Sequence, residues 1–259
     1  MILSKRAALN GQQLDELHER IVIRSIDAGV PHEEVEAENI MNIFGQRIAS
    51  QHWESLEVAV TYAIDVPKRE MALRRQIFEA VNRWAGQKGW LTVNWMTDRR
   101  MWVDKVVYPS AGDMWNWTNE FTIVFRAYGL PFWQAITPSQ INIPATAGGT
   151  WTIDVQGNIP SPVDVDFRNV SGMNIPYFSI RVGYSLLVFN NLGLGGGETL
   201  QITHGTSGLL SAKIGSRSVY DKLDPQSTDR LIADPGIMVV QLNATRAGNL
   251  NVRNYGGYV

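Results

Sequence analysis

Alternation with a period of two runs through most of this chain, and one stretch with a helical period interrupts it. Leu56, Val58, Val60 and Tyr62 alternate with Glu57, Ala59 and Thr61, and Phe121, Ile123, Phe125 and Ala127 alternate with Thr122, Val124 and Arg126. Leu91, Val93 and Trp95 alternate with Thr92 and Asn94, and Trp102-Val103 and Val106-Val107-Tyr108 follow. Such a chain must bury sheet faces, and a single helix is available to cover one of them.

The pattern predicts that helix over about 67–84. Asp65 is the candidate N-cap, and Pro67 in the first turn forfeits no needed hydrogen bond. Leu73, Ile77, Ala80, Val81 and Trp84 share one face, with Lys68, Arg69, Arg75, Glu79 and Arg83 mostly elsewhere. Gly86 and Gly89 then stop it.

At 259 residues the chain is long enough for one large domain or two ordinary ones. Charge and aromatic usage change near residue 140. Residues 1–137 carry 15 Lys+Arg, 17 Asp+Glu and eight of the nine Trp, whereas 138–259 carry 8 and 8 charges and most of the glycines. The segment 138–150 is rich in Pro, Gly and small polar residues, which predicts a linker. The expected organisation is therefore a β-rich α+β domain over 1–137, a linker over 138–150 and an antiparallel β-sandwich over 151–259, giving a mainly β fold with one helix. Strand candidates in the last part are 151–156, 163–168, Tyr177–Val182, Ser185–Phe189, Thr199–Thr203, Ser211–Ile214, Met238–Asn243 and Asn249–Val252.

Composition excludes several chemistries. Hydrophobic residues at 44 % and charged residues at 19 % exclude a disordered chain. Without cysteine there is no disulfide framework, cysteine-zinc site or thiol catalysis. A net charge of −2 leaves no basic excess for reading nucleic acid. No run reaches the ~18 apolar residues of a membrane span. The opening residues Met1–Arg6 do not lead into an apolar signal region, so no secretory signal is read there.

The chemistry-bearing residues do not converge in sequence. His18, His32, His52 and His204 are scattered without ligand spacing, and His204 reads as a partly exposed turn residue before Gly205. No serine sits in a nucleophile-elbow pattern. Asp154, Asp164 and Asp166 form the best carboxylate cluster, suited to glycoside hydrolysis or calcium if they converge. The simpler reading makes them the polar half of strands whose other half is Trp151, Ile153, Val163, Val165 and Phe167. The acidic run 33–38 reads as a solvated face or loop. The glycines of 193–197 precede a strand-like segment rather than a helix, so they read as a hairpin or bulge turn and not a phosphate loop. These readings predict no enzyme, no metal and no cofactor.

Tryptophan is concentrated: Trp84, Trp90, Trp95, Trp102, Trp115, Trp117 and Trp133 fall within fifty residues. Aromatics at this density build a core, anchor an interface between subunits or stack on sugars. Trp95 and Trp102 are assigned to a core. Trp115 and Trp117 alternate with Asn116 and Thr118 and share a strand face or rim.

The order of elements resembles a known family. An alternating strand (Leu56 to Tyr62) leads into a helix that opens with Lys68-Arg69-Glu70-Met71-Ala72-Leu73-Arg74-Arg75 and ends at a tryptophan. Trp90-Leu91-Thr92-Val93, Asp98-Arg99-Arg100-Met101-Trp102 and Phe121-Thr122-Ile123-Val124-Phe125 follow, closing at Pro131-Phe132-Trp133. The second half adds Gly157-Asn158-Ile159-Pro160-Ser161-Pro162-Val163, Arg217 after a strand, and Asn251-Val252-Arg253-Asn254-Tyr255. Over nearly its whole length the chain is similar to the distal tail proteins of long-tailed (siphovirus) bacteriophages.

The resemblance implies an N-terminal domain that assembles with copies of itself into a six-fold ring, and a C-terminal galectin-like sandwich on the outside. The ring would join the tail tube to the tail-tip hub and to receptor-binding or lytic proteins. DNA would pass through its channel without being read. The implied location is the virion, after assembly in the host cytoplasm. Some family members carry an inserted carbohydrate-binding module, and the short connections of this chain leave no room for one. The expected subunit or interdomain contacts are Trp115, Trp117, Phe132 and Trp133. The alternative is a glycan-binding, lectin-like protein that uses the sandwich for adhesion to a host surface.

Overall fold

The computed structural model describes residues 5–31, 33–39, 46–109, 119–145 and 147–259. The chain divides into two compact units, Met1–Trp133 and Gln134–Val259.

In the first unit, a sheet places the strands in the order Ile21–Ala28, Leu56–Ile64, Glu120–Ala127 and Lys105–Val107, all antiparallel. Its inner face is the apolar half of the alternation. Tyr62 lies opposite Phe121, Val60 opposite Ile123 and Val58 opposite Phe125, all buried. The outer face carries the Thr61–Thr122 hydroxyl pair at 2.8 Å and the Glu57–Arg126 ion pair at 2.8 Å. The helix, Met71–Ala85, covers the inner face with Ile77, Val81 and Trp84. Trp84 meets Phe125 edge-on at 5.8 Å and Phe78 meets Phe121 at 5.0 Å. Trp84 Nε1 also donates to the carbonyl of Gln12 at 3.0 Å, tying the helix end to a further set of strands. There Ala7–Leu9 pairs with Gln12–Gln13 on one side and Gly89–Val93 on the other, and Gly89–Val93 pairs with Met96–Val103. Asn10 and Gly11 turn the first of these hairpins with φ of 53° and 83°, the left-handed pair that a two-residue hairpin requires.

The second unit is an antiparallel β-sandwich. One sheet runs in the order Ser139–Ala145, Gly248–Asn254, Ser161–Asn169, Thr199–Thr203, Ser211–Ile214 and Arg217–Ser218, with Ile232–Ala233 added beside the start of Ser161–Asn169. The other runs Gly148–Val155, Gly236–Ala244, Ile175–Val182 and Ser185–Leu194. Between them lies an apolar core in which Phe167 packs on Phe178 at 5.0 Å and Phe178 on Phe189 at 6.2 Å.

Several expectations need correction. The unit boundary falls at Trp133/Gln134 rather than after residue 137. The segment 138–150 is not a linker: Ser139–Ala145 and the start of Gly148–Val155 are strands at the edges of the two sheets. Edge strands tolerate the Pro144, Gly148 and Gly149 that suggested a linker, because their outer side has no ladder to break. The helix begins at Met71 rather than near residue 67, and Glu70, not Asp65, flanks its start, without a side-chain cap. Pro67 instead supplies the carbonyl of a turn to Glu70 N–H at 2.9 Å. The acidic run is a strand, Glu33–Asn39, paired with Gln46–Trp53. The strand begun at Leu91 ends at Val93, so Trp95 lies in a hairpin turn and is 48 % exposed rather than in a core.

Candidate functional site

The first unit presents two features suited to contact with other chains. The ladder between Ile21–Ala28 and Leu56–Ile64 is followed by a second ladder in which Glu33 faces Trp53 and Asn39 faces Gln46. Among the described residues, the two strands of this outer hairpin are paired only with each other.

The second feature is the hairpin Gly89–Val93/Met96–Val103. Met101, Val103, Leu91 and Val93 are its buried face. The opposite face places Trp90 beside Trp102, edge-on at 5.2 Å, with the Arg100 guanidinium 4.0 Å from the Trp90 ring centre. A cation over an indole face contributes ~0.5–1 kcal/mol at an exposed site. Trp102 therefore stands on a half-buried aromatic face and not in the core proposed from its alternation.

Of the expected contact residues, Trp115 and Trp117 lie outside the described residues. Phe132 and Trp133 are 6 % and 3 % exposed and so are packed within the chain. Their Pro131-Phe132-Trp133 segment shows no alternation that would separate burial from display.

The structure does not bring Asp154 together with Asp164 and Asp166. Asp164 and Asp166 line the outer face of Ser161–Asn169, as the polar half of its alternation. Asp166 is held by Arg253 at 2.8 Å. Asp154 is exposed on a strand of the other sheet. His204 is not a partly exposed turn residue: it is 2 % exposed. Its backbone N–H donates to Asp164 Oδ1 at 3.1 Å, and its Nε2 accepts the Leu231 N–H at 3.1 Å. The ring pins the segment before Ile232–Ala233 against the sheet, a burial that its place at a strand end conceals. Among the described residues, no group of three or more His, Asp or Glu is placed to hold a metal, and no helix is long and apolar enough to cross a membrane.

The glycine-rich segment is a turn, as read, but it joins the two sheets instead of closing a hairpin. Its neighbour Asn169 is fully buried and donates to the carbonyls of Met173 (2.6 Å) and Leu194 (2.9 Å). A side chain at Gly196 would meet the backbone of Gly172 at 2.7 Å, so the two turns pack backbone to backbone.

No protein-family profile matches the chain, and no curated protein does. Solved structures do. The Dit (gp 19.1) protein of phage SPP1, described as a paradigm of the hub adsorption apparatus in phages infecting Gram-positive bacteria, aligns over 97 % of this chain and 98 % of its own, with 12 % identity and a TM-score of 0.66. Two structures of the activated phage P2 baseplate, with Ca and with Sr, align over 99 % of this chain and 100 % of theirs, at 8 % and 9 % identity and TM-scores of 0.40 and 0.44. Across nearly its whole length, this chain shares the fold of SPP1 Dit.

Proposed function

We propose that this chain is a structural, non-enzymatic component of a phage tail tip. In this reading the first unit assembles head to tail with copies of itself into a six-fold ring. The ring joins the distal end of the tail tube to the tail-tip hub and host-recognition proteins, and DNA crosses its central channel. The location is the virion, after assembly in the host cytoplasm.

The observation that carries the proposal is the likeness to SPP1 Dit over 97 % of one chain and 98 % of the other, which spans both units rather than one common sandwich. The outer hairpin supports it. A head-to-tail ring needs two different faces on each copy, and a two-stranded hairpin paired with no other described strand supplies one when it adds to a neighbour's sheet. Trp115 and Trp117 are the proposed aromatic contacts. Phe132 and Trp133, buried within the single chain, remain proposed as subunit or interdomain contacts.

The test is the mass and image of the purified protein, alone and with its tail partners. Light scattering and negative-stain imaging should show a ring with six-fold symmetry. A strictly monomeric protein at high concentration, with no ring in the presence of the partners, contradicts the proposal.

A further inference from the structure

The outward face of the second unit's Gly148–Val155/Gly236–Ala244/Ile175–Val182/Ser185–Leu194 sheet changes character along its length. At one end it is apolar, with Ile237 72 % and Val239 42 % exposed. At the other it sinks into a shallow cavity of about 350 Å³ lined by Thr150, Ser179, Arg181, Leu186, Gln241 and Asn243, with Gly149 and Leu242.

The register explains why these groups meet. Thr150 is paired with Gln241, Gln241 with Arg181, and Arg181 with Leu186, so the four form one row across all four strands. Asn243 and Ser179 are paired in the next row on the same face. Neighbouring strands lie ~4.8 Å apart and same-face residues on one strand ~6.8 Å apart, so the cavity floor is a fixed grid of donors and acceptors. Its backbone is held by the ladders, and little ordering is left to the ligand.

We propose that this cavity binds an acidic saccharide, a hydroxyl-rich chain carrying phosphate or carboxylate groups. Gln241, Asn243, Thr150 and Ser179 both donate and accept, the combination that hydroxyl groups require. Among the described lining residues, Arg181 is the only charged group and none is a carboxylate. A guanidinium presents a fork of donors matched to phosphate or carboxylate oxygens. Leu186 is the only apolar side chain at the same level as the grid, too little for the aromatic and aliphatic anchors of a protein interface. The site needs no tryptophan, and Trp151 turns instead toward the sandwich core. The inference does not rest on ring formation, since every lining residue belongs to one chain.

Titration calorimetry on the full chain tests it with three probes: a glycerol-phosphate oligomer, a galacturonate oligomer and a neutral maltooligosaccharide. At least one acidic probe should bind, and the neutral one should bind at least tenfold more weakly. The variants Arg181→Met and Gln241→Ala should each weaken binding about tenfold or more while leaving the melting temperature unchanged, because both side chains are exposed. Lys213→Ala, on the other sheet, should have no effect. A phosphate-only or carboxylate-only response identifies the acidic group. The proposal is overturned if neither acidic probe binds, if the neutral probe binds equally well, or if binding survives Arg181→Met.

Discussion

Leu231 donates its backbone N–H to His204 Nε2 at 3.1 Å, deep enough that the imidazole is 2 % exposed. Because Nε2 is the acceptor, the ring proton of the neutral form sits on Nδ1, which faces Asp164 Oδ1 at 3.6 Å. Replacing His204 with Ala leaves the Leu231 N–H without a partner in the sheet interior. The expected loss is about 1–3 kcal/mol in denaturant unfolding. An unchanged midpoint would show that the segment before Ile232–Ala233 is held by its strand pairing alone.

Tyr62 is fully buried between the helix and the sheet, and its hydroxyl has no hydrogen-bond partner among the described residues. Deleting that oxygen in Tyr62→Phe keeps the Phe121 ring contact and removes a desolvated polar atom, so stability should rise by about 1 kcal/mol.

The same burial pushes the Tyr62 hydroxyl well above the ordinary tyrosine range. The unfolded chain then releases this proton first, at pH ~10, while the folded chain keeps it. The tyrosine's contribution is complete below that pH and is lost as pH rises past it. Unfolding midpoints from pH 8 to 11 should fall more steeply for the wild type than for Tyr62→Phe. Parallel curves would contradict this account.

Asn169 directs both amide hydrogens at backbone carbonyls. Asn169→Asp places a carboxylate against those two oxygens at almost the same volume, and it should cost more than Asn169→Ala, by about 1 kcal/mol or more. Urea titration of the pair measures the difference. Equal losses would assign the role of Asn169 to packing.

Much of this fold is legible because its strands are half-buried and alternate. Thr199–Thr203 and Ser211–Ile214 stand where their alternation places them, and the helix buries Ile77, Val81 and Trp84 from its predicted face. The failures occur where the tertiary environment sets a residue's role. Pro144 and Gly149 are linker chemistry in the middle of a chain, yet they are harmless on sheet edges. Arg74 has the composition of a solvated helix position and is fully buried. Glu33–Asn39 pairs through its backbone, on which a run of acidic side chains is silent. The Asn10-Gly11 turn did carry a local hairpin signal, and it lies in the short N-terminal stretch where alternation is too brief to be read. The polar cavity has no motif at all, since Thr150, Arg181 and Gln241 meet only through strand register.

If Trp115 and Trp117 anchor neighbouring copies, Trp115→Ser with Trp117→Ser should abolish or weaken assembly at least tenfold in sedimentation velocity, as removal of central aromatic anchors does. The far-ultraviolet circular dichroism should stay that of a β-rich chain. Full assembly of the double variant would move the interface elsewhere, with the outer hairpin as the next surface to alter.

The proposed function places the work of this chain in contacts between its own copies, and negative-stain imaging of the purified protein, with and without tail partners, decides it. Closed rings with six-fold symmetry and an open centre are the expected images. Isolated single-chain particles under both conditions would rule the ring out.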